Sequence, residues 1–266
     1  MNTIETQIGI IGTGNMGTAI ISGLTKVISS DQITIYDSMT EKMSQLKGKY
    51  SIKTAEFLDE IVESSEYIFL AVKPAQIHEI IEHMKDFKGT IISIAAGITI
   101  KSIENIAGFD KKIVRAMPNT PALVGEGMTS ISSNPNVTDE ELEQVSSMFA
   151  CIGKVVIINE KLMDAVTGVS GSGPAYVYSF IQAMADGAVK MGLSREDALL
   201  LASQTVMGSA RMVLETGENP IALRDNVTSP GGTTIDAVHV LEKSGFSGFI
   251  IDAIEEATNK SKKLGE

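Results

Sequence analysis

Ile8-Gly9-Ile10-Ile11-Gly12-Thr13-Gly14-Asn15-Met16-Gly17 is the stretch of this chain that decides its fold. A short β-branched run leads directly into G-x-G-x-x-G, and a helix-like segment, Met16–Lys26, leads out of it. Each glycine has its own task in such a unit. Gly12 permits the tight turn, Gly14 lets a pyrophosphate approach the backbone, and Gly17 lets the helix pack close to the sheet. The free N–H groups and positive dipole end of the helix then face the phosphates. Ile11, Gly12, Thr13, Gly14, Asn15 and Met16 are therefore expected to bind a dinucleotide. The glycine pattern alone would be weak; a strand before it and a helix after it supply the context the chemistry requires.

Working outward, Asp37 closes the second apolar run, twenty residues past Gly17. That is where an acidic residue binds a ribose 2′-hydroxyl. An aspartate there repels a 2′-phosphate and leans toward NADH. The same residue is equally suited to open the Asp37–Thr40 turn as a cap. No arginine is nearby to hold a 2′-phosphate; Lys42 is the closest cation, before Lys47 and Lys49.

The first half of the chain alternates short β-branched runs with amphipathic segments. The runs are Ile8–Ile11, Ile33–Tyr36, Tyr67–Val72, Thr90–Ile94 and Lys112–Ala116. Helical spacing fills Met16–Lys26, Thr40–Leu46, Glu56–Val62, Ala75–Met84 and Ile100–Ile106. Such alternation predicts βαβ units and a doubly wound parallel sheet. Met128–Ser132 and Val155–Ile158 extend it, with a helix over Asp139–Phe149 capped by Thr138 and Glu141. Ligands of these sheets sit outside the carboxyl ends of the strands. Ala71, Val72, Lys73 and Pro74 after one strand, and Ala95, Ala96 and Gly97 after the next, should thus face the cofactor. A solvated lysine is an equally good reading of Lys73.

Beyond about residue 160 the strand signal fades. Ala175–Met191, Arg195–Glu215, Thr234–Lys243 and Phe246–Lys262 read as helices; small residues are frequent there, and the longest segments are apolar on more than one face. A mostly apolar helix must be buried by something, so a second copy of the chain is expected to complete this half. The fold class is α/β: a Rossmann-type doubly wound parallel sheet over residues 1–160, then an all-α dimerisation and substrate-binding domain over 161–266.

Composition narrows the function. The 266 residues carry a net charge of −11, which argues against nucleic acid or an anionic membrane as the main partner. The single cysteine, Cys151, excludes an internal disulfide framework, and His78, His83 and His239 do not form a zinc pattern, so no metal is expected. No run is long enough for a membrane span and the N-terminus has no basic n-region, so a cytoplasmic protein is expected.

Several motifs remain. They are Phe69-Leu70-Ala71-Val72-Lys73-Pro74, Ser93-Ile94-Ala95-Ala96-Gly97, Arg115-Ala116-Met117-Pro118-Asn119-Thr120-Pro121, Asp164–Tyr176 with its Ser170-Gly171-Ser172-Gly173-Pro174, and Asp225–Thr234 with Ser229-Pro230-Gly231-Gly232-Thr233-Thr234. In this order, from Ile8 to the C-terminus, the chain resembles the pyrroline-5-carboxylate reductases. The resemblance implies reduction of the C=N bond of 1-pyrroline-5-carboxylate by NAD(P)H to give L-proline, with NADPH the usual donor. It implies a homodimer, sometimes within a larger ring. It also implies substrate contacts from Thr234, from the backbone of Thr233, and from Asn226 and Glu160.

Physical sense supports part of this. Gly231 and Gly232 precede a helix starting at Thr233–Thr234, a second anion-binding N-terminus suited to a carboxylate; a plain helix cap is the bland alternative. Ser170–Gly173 is explained as well by a capping loop before Pro174. An imine protonated before attack becomes a neutral amine on hydride addition, so no strong acid is needed in that step. Thr234 is the candidate catalytic residue, bonding the imine nitrogen, and Glu160 the candidate stabiliser of the cation. A β-hydroxyacid dehydrogenase using Lys190 as its catalytic lysine, and a dinucleotide-sensing regulator without turnover, are the competing readings. Lys190 and His239 read more simply as helix-surface residues.

Overall fold

A computed structural model describes residues 6–265. In order the elements are β1 (Ile8–Ile11), α1 (Asn15–Leu24), β2 (Ile33–Tyr36), α2 (Thr40–Tyr50), β3 (Lys53–Thr54), α3 (Leu58–Ser64), β4 (Tyr67–Leu70), α4 (Pro74–Glu82), β5 (Thr90–Ser93), α5 (Ile100–Ala107) and β6 (Lys112–Met117). Then come β7 (Gly127–Ser133), α6 (Asp139–Ala150), β8 (Gly153–Ile157), α7 (Met163–Val166), α8 (Gly173–Lys190), α9 (Arg195–Thr216), α10 (Pro220–Asn226), α11 (Thr233–Lys243) and α12 (Phe246–Gly265).

The sheet runs β3-β2-β1-β4-β5-β6-β7-β8. Its first six strands are parallel, in the order of a dinucleotide-binding fold. Successive residues of each strand feed opposite faces, so the sheet has two cores. Ile8, Ile10, Ile33, Ile35, Phe69 and Val114 pack on one side with α1 and α6; Ile11, Ile68, Leu70, Ile91 and Ile113 pack on the other with α3, α4 and α5. Phe69 meets Phe149 edge to face, with centroids 5.4 Å apart.

The sheet is dominated by parallel pairs, as the expected fold class requires, and a single pair departs from this. β7 runs antiparallel to β6, and β8 runs parallel to β7, so the last two strands oppose the first six. Only residues 118–126 join β6 to β7. That is too short for a crossover to a parallel neighbour, which takes a dozen residues or more. β7 and β8 are separated by α6, whose start is fixed by the expected capping box. Thr138 Oγ1 accepts the Glu141 N–H at 3.2 Å, and Glu141 Oε2 accepts the Thr138 N–H at 3.0 Å.

The chain forms two compact units, one reaching Ser172 and taking in residues from Glu256 onward, the other covering Gly173–Glu255. The fully buried core of the second unit is small: Ala185, Ala198 and Ala202, where α8 meets α9. Large apolar side chains of this unit lie exposed, among them Leu200 and Phe249, each 68% exposed, with Tyr178, Met207, Leu214 and Ile251. Among the described residues no helix is long and apolar enough to cross a membrane.

Candidate active site

The first site is built by the loops that leave β1, β2 and β4 at their carboxyl ends. Gly12 holds φ at +101°, and a Cβ there would stand 2.5 Å from the Ala71 carbonyl oxygen. Only glycine makes that turn beside that strand end. A Cβ on Gly17 would collide with the Gly12 carbonyl. The same Cβ would stand 3.4 Å from Ala71 Cβ, so the missing side chain lets α1 approach the ends of both β1 and β4. Gly14 has open space where a Cβ would point. It is also the N-cap of α1, with no side-chain cap and no acidic residue in the first turn. The result is a cradle of unopposed N–H groups, the fit that a pyrophosphate requires.

A cleft of about 690 Å³ lies beside this cradle. The strand order reverses between β1 and β4, the place where doubly wound sheets bind ligands. Of the expected cofactor residues, Ile11, Gly12, Gly14, Asp37, Ala71, Val72 and Lys73 line it. Asn15 and Met16 open α1 beside it, and Pro74 is the first residue of α4, without lining it. Ala95 and Gly97 are buried and Ala96 half-buried, outside the cleft lining. Tyr36, Met39, Lys42, Phe57 and Leu58 also line it. Of these only the side chains near Asp37 had a sequence signal, through their proximity to it.

Thr13 is buried and reaches the cleft through Asp37. Its N–H and Oγ1 both donate to Asp37 Oδ2, at 2.6 and 2.7 Å, while Oδ1 accepts the Met39 N–H at 2.9 Å. The capping role of Asp37 is therefore real. Partial burial pushes its carboxyl up, but the bonds from Met39 and Thr13, with Lys42 nearby, outweigh this and hold it below the ordinary carboxylate range. The residue is a fixed negative charge on the cleft wall.

Glu160, expected at the substrate, has partners in the first unit. Its Oε1 accepts the Ile100 N–H at 2.7 Å and lies 3.4 Å from Nη1 of Arg115. Arg115 is 5% exposed on β6, and its Nη2 lies 3.5 Å from Asp164 Oδ1. Any contact of Glu160 with a bound cation would fall to its second oxygen. Asn119 pins the segment before α8: its Nδ2 donates to the Ser170 carbonyl at 3.0 Å and its Oδ1 accepts the Met128 N–H at 2.8 Å. That segment, Thr167–Gly171, is π-helical. A single π turn is often found at functional sites.

The second site lies in the second unit. Asn226 ends α10, and Ser229-Pro230-Gly231-Gly232 makes a tight turn closed by Gly232 N–H to Ser229 O at 3.0 Å. Gly231 holds φ +69°, the value a Pro-Gly turn needs at its third residue. A Cβ on Gly232 would strike Ser229 Oγ. Thr233 and Thr234 then open α11, whose N-cap Gly232 gives no side-chain bond. Asp236 lies in that first turn, an acid that α1 lacks. Lys190 and His239 are exposed on their helices. Among the described residues, no three His, Cys, Asp or Glu side chains gather as a metal site.

Residues 160–264 match the pyrroline-5-carboxylate reductase dimerisation family, and residues 7–97 match the coenzyme F420-dependent NADP oxidoreductase family. The pyrroline-5-carboxylate reductase of Escherichia coli is 46% identical over 99% of this chain and 100% of its own length. That of Aquifex aeolicus is 42% identical over 97% of each. The structure of a pyrroline-5-carboxylate reductase from Coxiella burnetii superposes with a TM-score of 0.94 at 36% identity, covering 98% of this chain and 99% of that one. The Plasmodium falciparum pyrroline carboxylate reductase with NADP bound gives a TM-score of 0.89 at 35% identity over 100% of both chains. A prephenate dehydrogenase from A. aeolicus shares only the fold, at 15% identity and a TM-score of 0.54. With its cleft, its two glycine turns and full-length relatives of one kind, the chain belongs to the pyrroline-5-carboxylate reductase family.

Proposed function

We infer that this chain reduces the C=N bond of 1-pyrroline-5-carboxylate to give L-proline, using a reduced nicotinamide dinucleotide, and that it works as a homodimer in the cytoplasm. The observation that carries the reading is the family relationship over essentially its whole length, at 46% identity to one reductase. The open cradle at Gly14 supports the dinucleotide, and the exposed apolar side chains of the second unit support the second copy. The division of labour follows the chain: residues 1–160 hold the nucleotide, and 161–266 hold the substrate and the dimer contact.

A reduced nicotinamide, when bound, supplies hydride to the imine carbon. The chain's own residues then have three tasks. Gly12 and Thr13 shape the turn, their own N–H groups being taken by the Tyr36 carbonyl and Asp37, and the N–H groups of Gly14, Asn15 and Met16 hold the pyrophosphate, while Ile11, Ala71–Pro74 and Ala95–Gly97 border the rest of the nucleotide. Asp37 binds the ribose hydroxyls, which makes NADH the better donor for this member of the family. Gly231, Gly232 and Thr233 present backbone N–H groups to the substrate carboxylate, and Asn226 orients it. The iminium N–H donates to the hydroxyl oxygen of Thr234, and the free oxygen of Glu160 faces the iminium charge. The chemistry asks for orientation more than for acid catalysis.

The test follows nicotinamide absorbance with 1-pyrroline-5-carboxylate, NADH and NADPH being supplied in parallel. Oxidation dependent on substrate, with L-proline as product, is expected. No oxidation of either nucleotide at about pH 7 overturns the reading.

A further inference from the structure

The last helix ends against the loop that follows β5. A Cβ on Gly97 would stand 3.0 Å from Leu264 Cβ, and a Cβ on Gly265 would stand 2.5 Å from the Gly97 carbonyl oxygen. Gly97 itself is left-handed, with φ +79°, a shape that side-chain-bearing residues take at a cost. One turn earlier on α12, Ser261 is 3% exposed and donates its hydroxyl to Asp164 Oδ1 at 2.8 Å. That oxygen is the one facing the buried Arg115 guanidinium. Arg115 in turn faces Glu160, whose Oε1 holds the Ile100 N–H at the start of α5. The segment between β5 and α5 is therefore held at two points: at Gly97, within it, by the tip of α12, and at Ile100, where it meets α5, by a chain of bonds that leads back to Ser261. Arg115 is the buried member of this chain and the two carboxylates are partly exposed, so one guanidinium ties Asp164 and Glu160, and through Glu160 the Ile100 N–H, to a common point.

We propose that the end of α12 is a positioning element for the nicotinamide nucleotide: Ser261 and Gly265 hold the Ala95–Gly97 loop in the form that receives it. This rests on the reading that Ala95–Gly97 borders the nucleotide. The side chains of α12 touch neither reactant; they act through the loop.

The test uses the full chain with Ser261→Ala, Gly265→Ala and Gly97→Ala, each measured for nucleotide KM, substrate KM, kcat and thermal melting. Losing the Ser261 bond is expected to raise the nucleotide KM about five-fold, the effect of one hydrogen bond. Gly265→Ala should raise it further, because its methyl group presses on the Gly97 carbonyl. In both, kcat at saturating nucleotide and substrate KM stay at wild-type values, and Ser261→Thr, which keeps the hydroxyl, restores the nucleotide KM. A helix end that serves stability alone would lower the melting temperature and leave the nucleotide KM unmoved, and that result overturns the proposal. If Gly97→Ala raises the nucleotide KM while the two α12 variants do not, the loop keeps its place in the site and the role of α12 fails. If Gly97→Ala also leaves it unmoved, the loop is outside the nucleotide site and both readings fail.

Discussion

Replacing Asp37 by asparagine tests the nucleotide reading at its most sensitive point. The carboxylate accepts three bonds, from Thr13 N–H, Thr13 Oγ1 and Met39 N–H, and it is held in its charged form. A 2′-phosphate brought to about 4 Å from a unit negative charge, at an effective dielectric of about 40, is repelled by about 2 kcal/mol. That corresponds to about thirty-fold in affinity. Asp37→Asn keeps the size and removes the charge. It also turns one side of the group into an NH2 facing a donor, so NADH loses a bond worth about 1 kcal/mol, or about five-fold. The two effects act in opposite directions on the two nucleotides. The ratio of kcat/KM for NADH over NADPH should therefore fall by at least about thirty-fold. Initial rates with each nucleotide varied at saturating 1-pyrroline-5-carboxylate give the ratio. Repeating them at about 0.5 M salt adds a control, since screening should narrow the discrimination of the wild type and leave the variant unchanged. If the ratio does not move, or if the wild type already prefers NADPH, Asp37 serves only as the cap of its turn.

Thr234→Ala should lower kcat/KM by at least about tenfold through loss of a hydroxyl at the reacting nitrogen, and unchanged steady-state constants would remove Thr234 from the mechanism. Cys151 is pushed up to about 11, by burial first, against its own backbone hydrogen bond and Lys26. Its thiol donates to the Met148 carbonyl at 2.7 Å, so it should resist iodoacetamide at about pH 8 until the chain is unfolded. Labelling of the native protein at the rate of a free thiol would contradict this. Burial, reinforced by Glu141, Glu66 and Glu140, raises Tyr67 from 10.0 to about 12. The unfolded tyrosine ionises first, so wild-type stability should fall as pH rises from 10.0 toward about 12, and Tyr67→Phe should lose that part of the slope. With no tryptophan in the chain, tyrosinate absorbance can follow the same step, and a step unaffected by Tyr67→Phe would refute the assignment.

Where side-chain pattern and secondary structure agree, the fold was readable from the residues. β1 and β2 occupy the expected ranges, Ile8–Ile11 and Ile33–Tyr36, because β-branched runs bounded by turn residues leave few alternatives. The Thr138–Glu141 box was visible because its two bonds depend only on spacing. The direction of β7 was not, since an apolar pattern carries no polarity; only the short link from Met117 to Gly127 does. β3 is two polar residues, Lys53–Thr54, and α10 is seven, Pro220–Asn226, too short for periodicity to register. The π turn over Thr167–Gly171 depends on contacts such as Asn119 with Ser170, which no local rule encodes. In the site, glycines declared themselves by spacing. Arg115 did not, because one cation in an apolar strand gives no hint of carboxylates forty-five and forty-nine residues away.

The three alanines that form the buried core of the second unit have a consequence for handling the enzyme. Ala185, Ala198 and Ala202 bring two helices together and bury little area of their own. When the missing burial comes from a second copy, unfolding and dissociation become one event, and the melting temperature depends on protein concentration. Each tenfold dilution then removes about 1.4 kcal/mol per mole of dimer. A dilute assay stock would lose activity with time while a concentrated one kept it. Substitutions on the outer faces of α9 or α12 would look harmless at high expression and damaging at low expression.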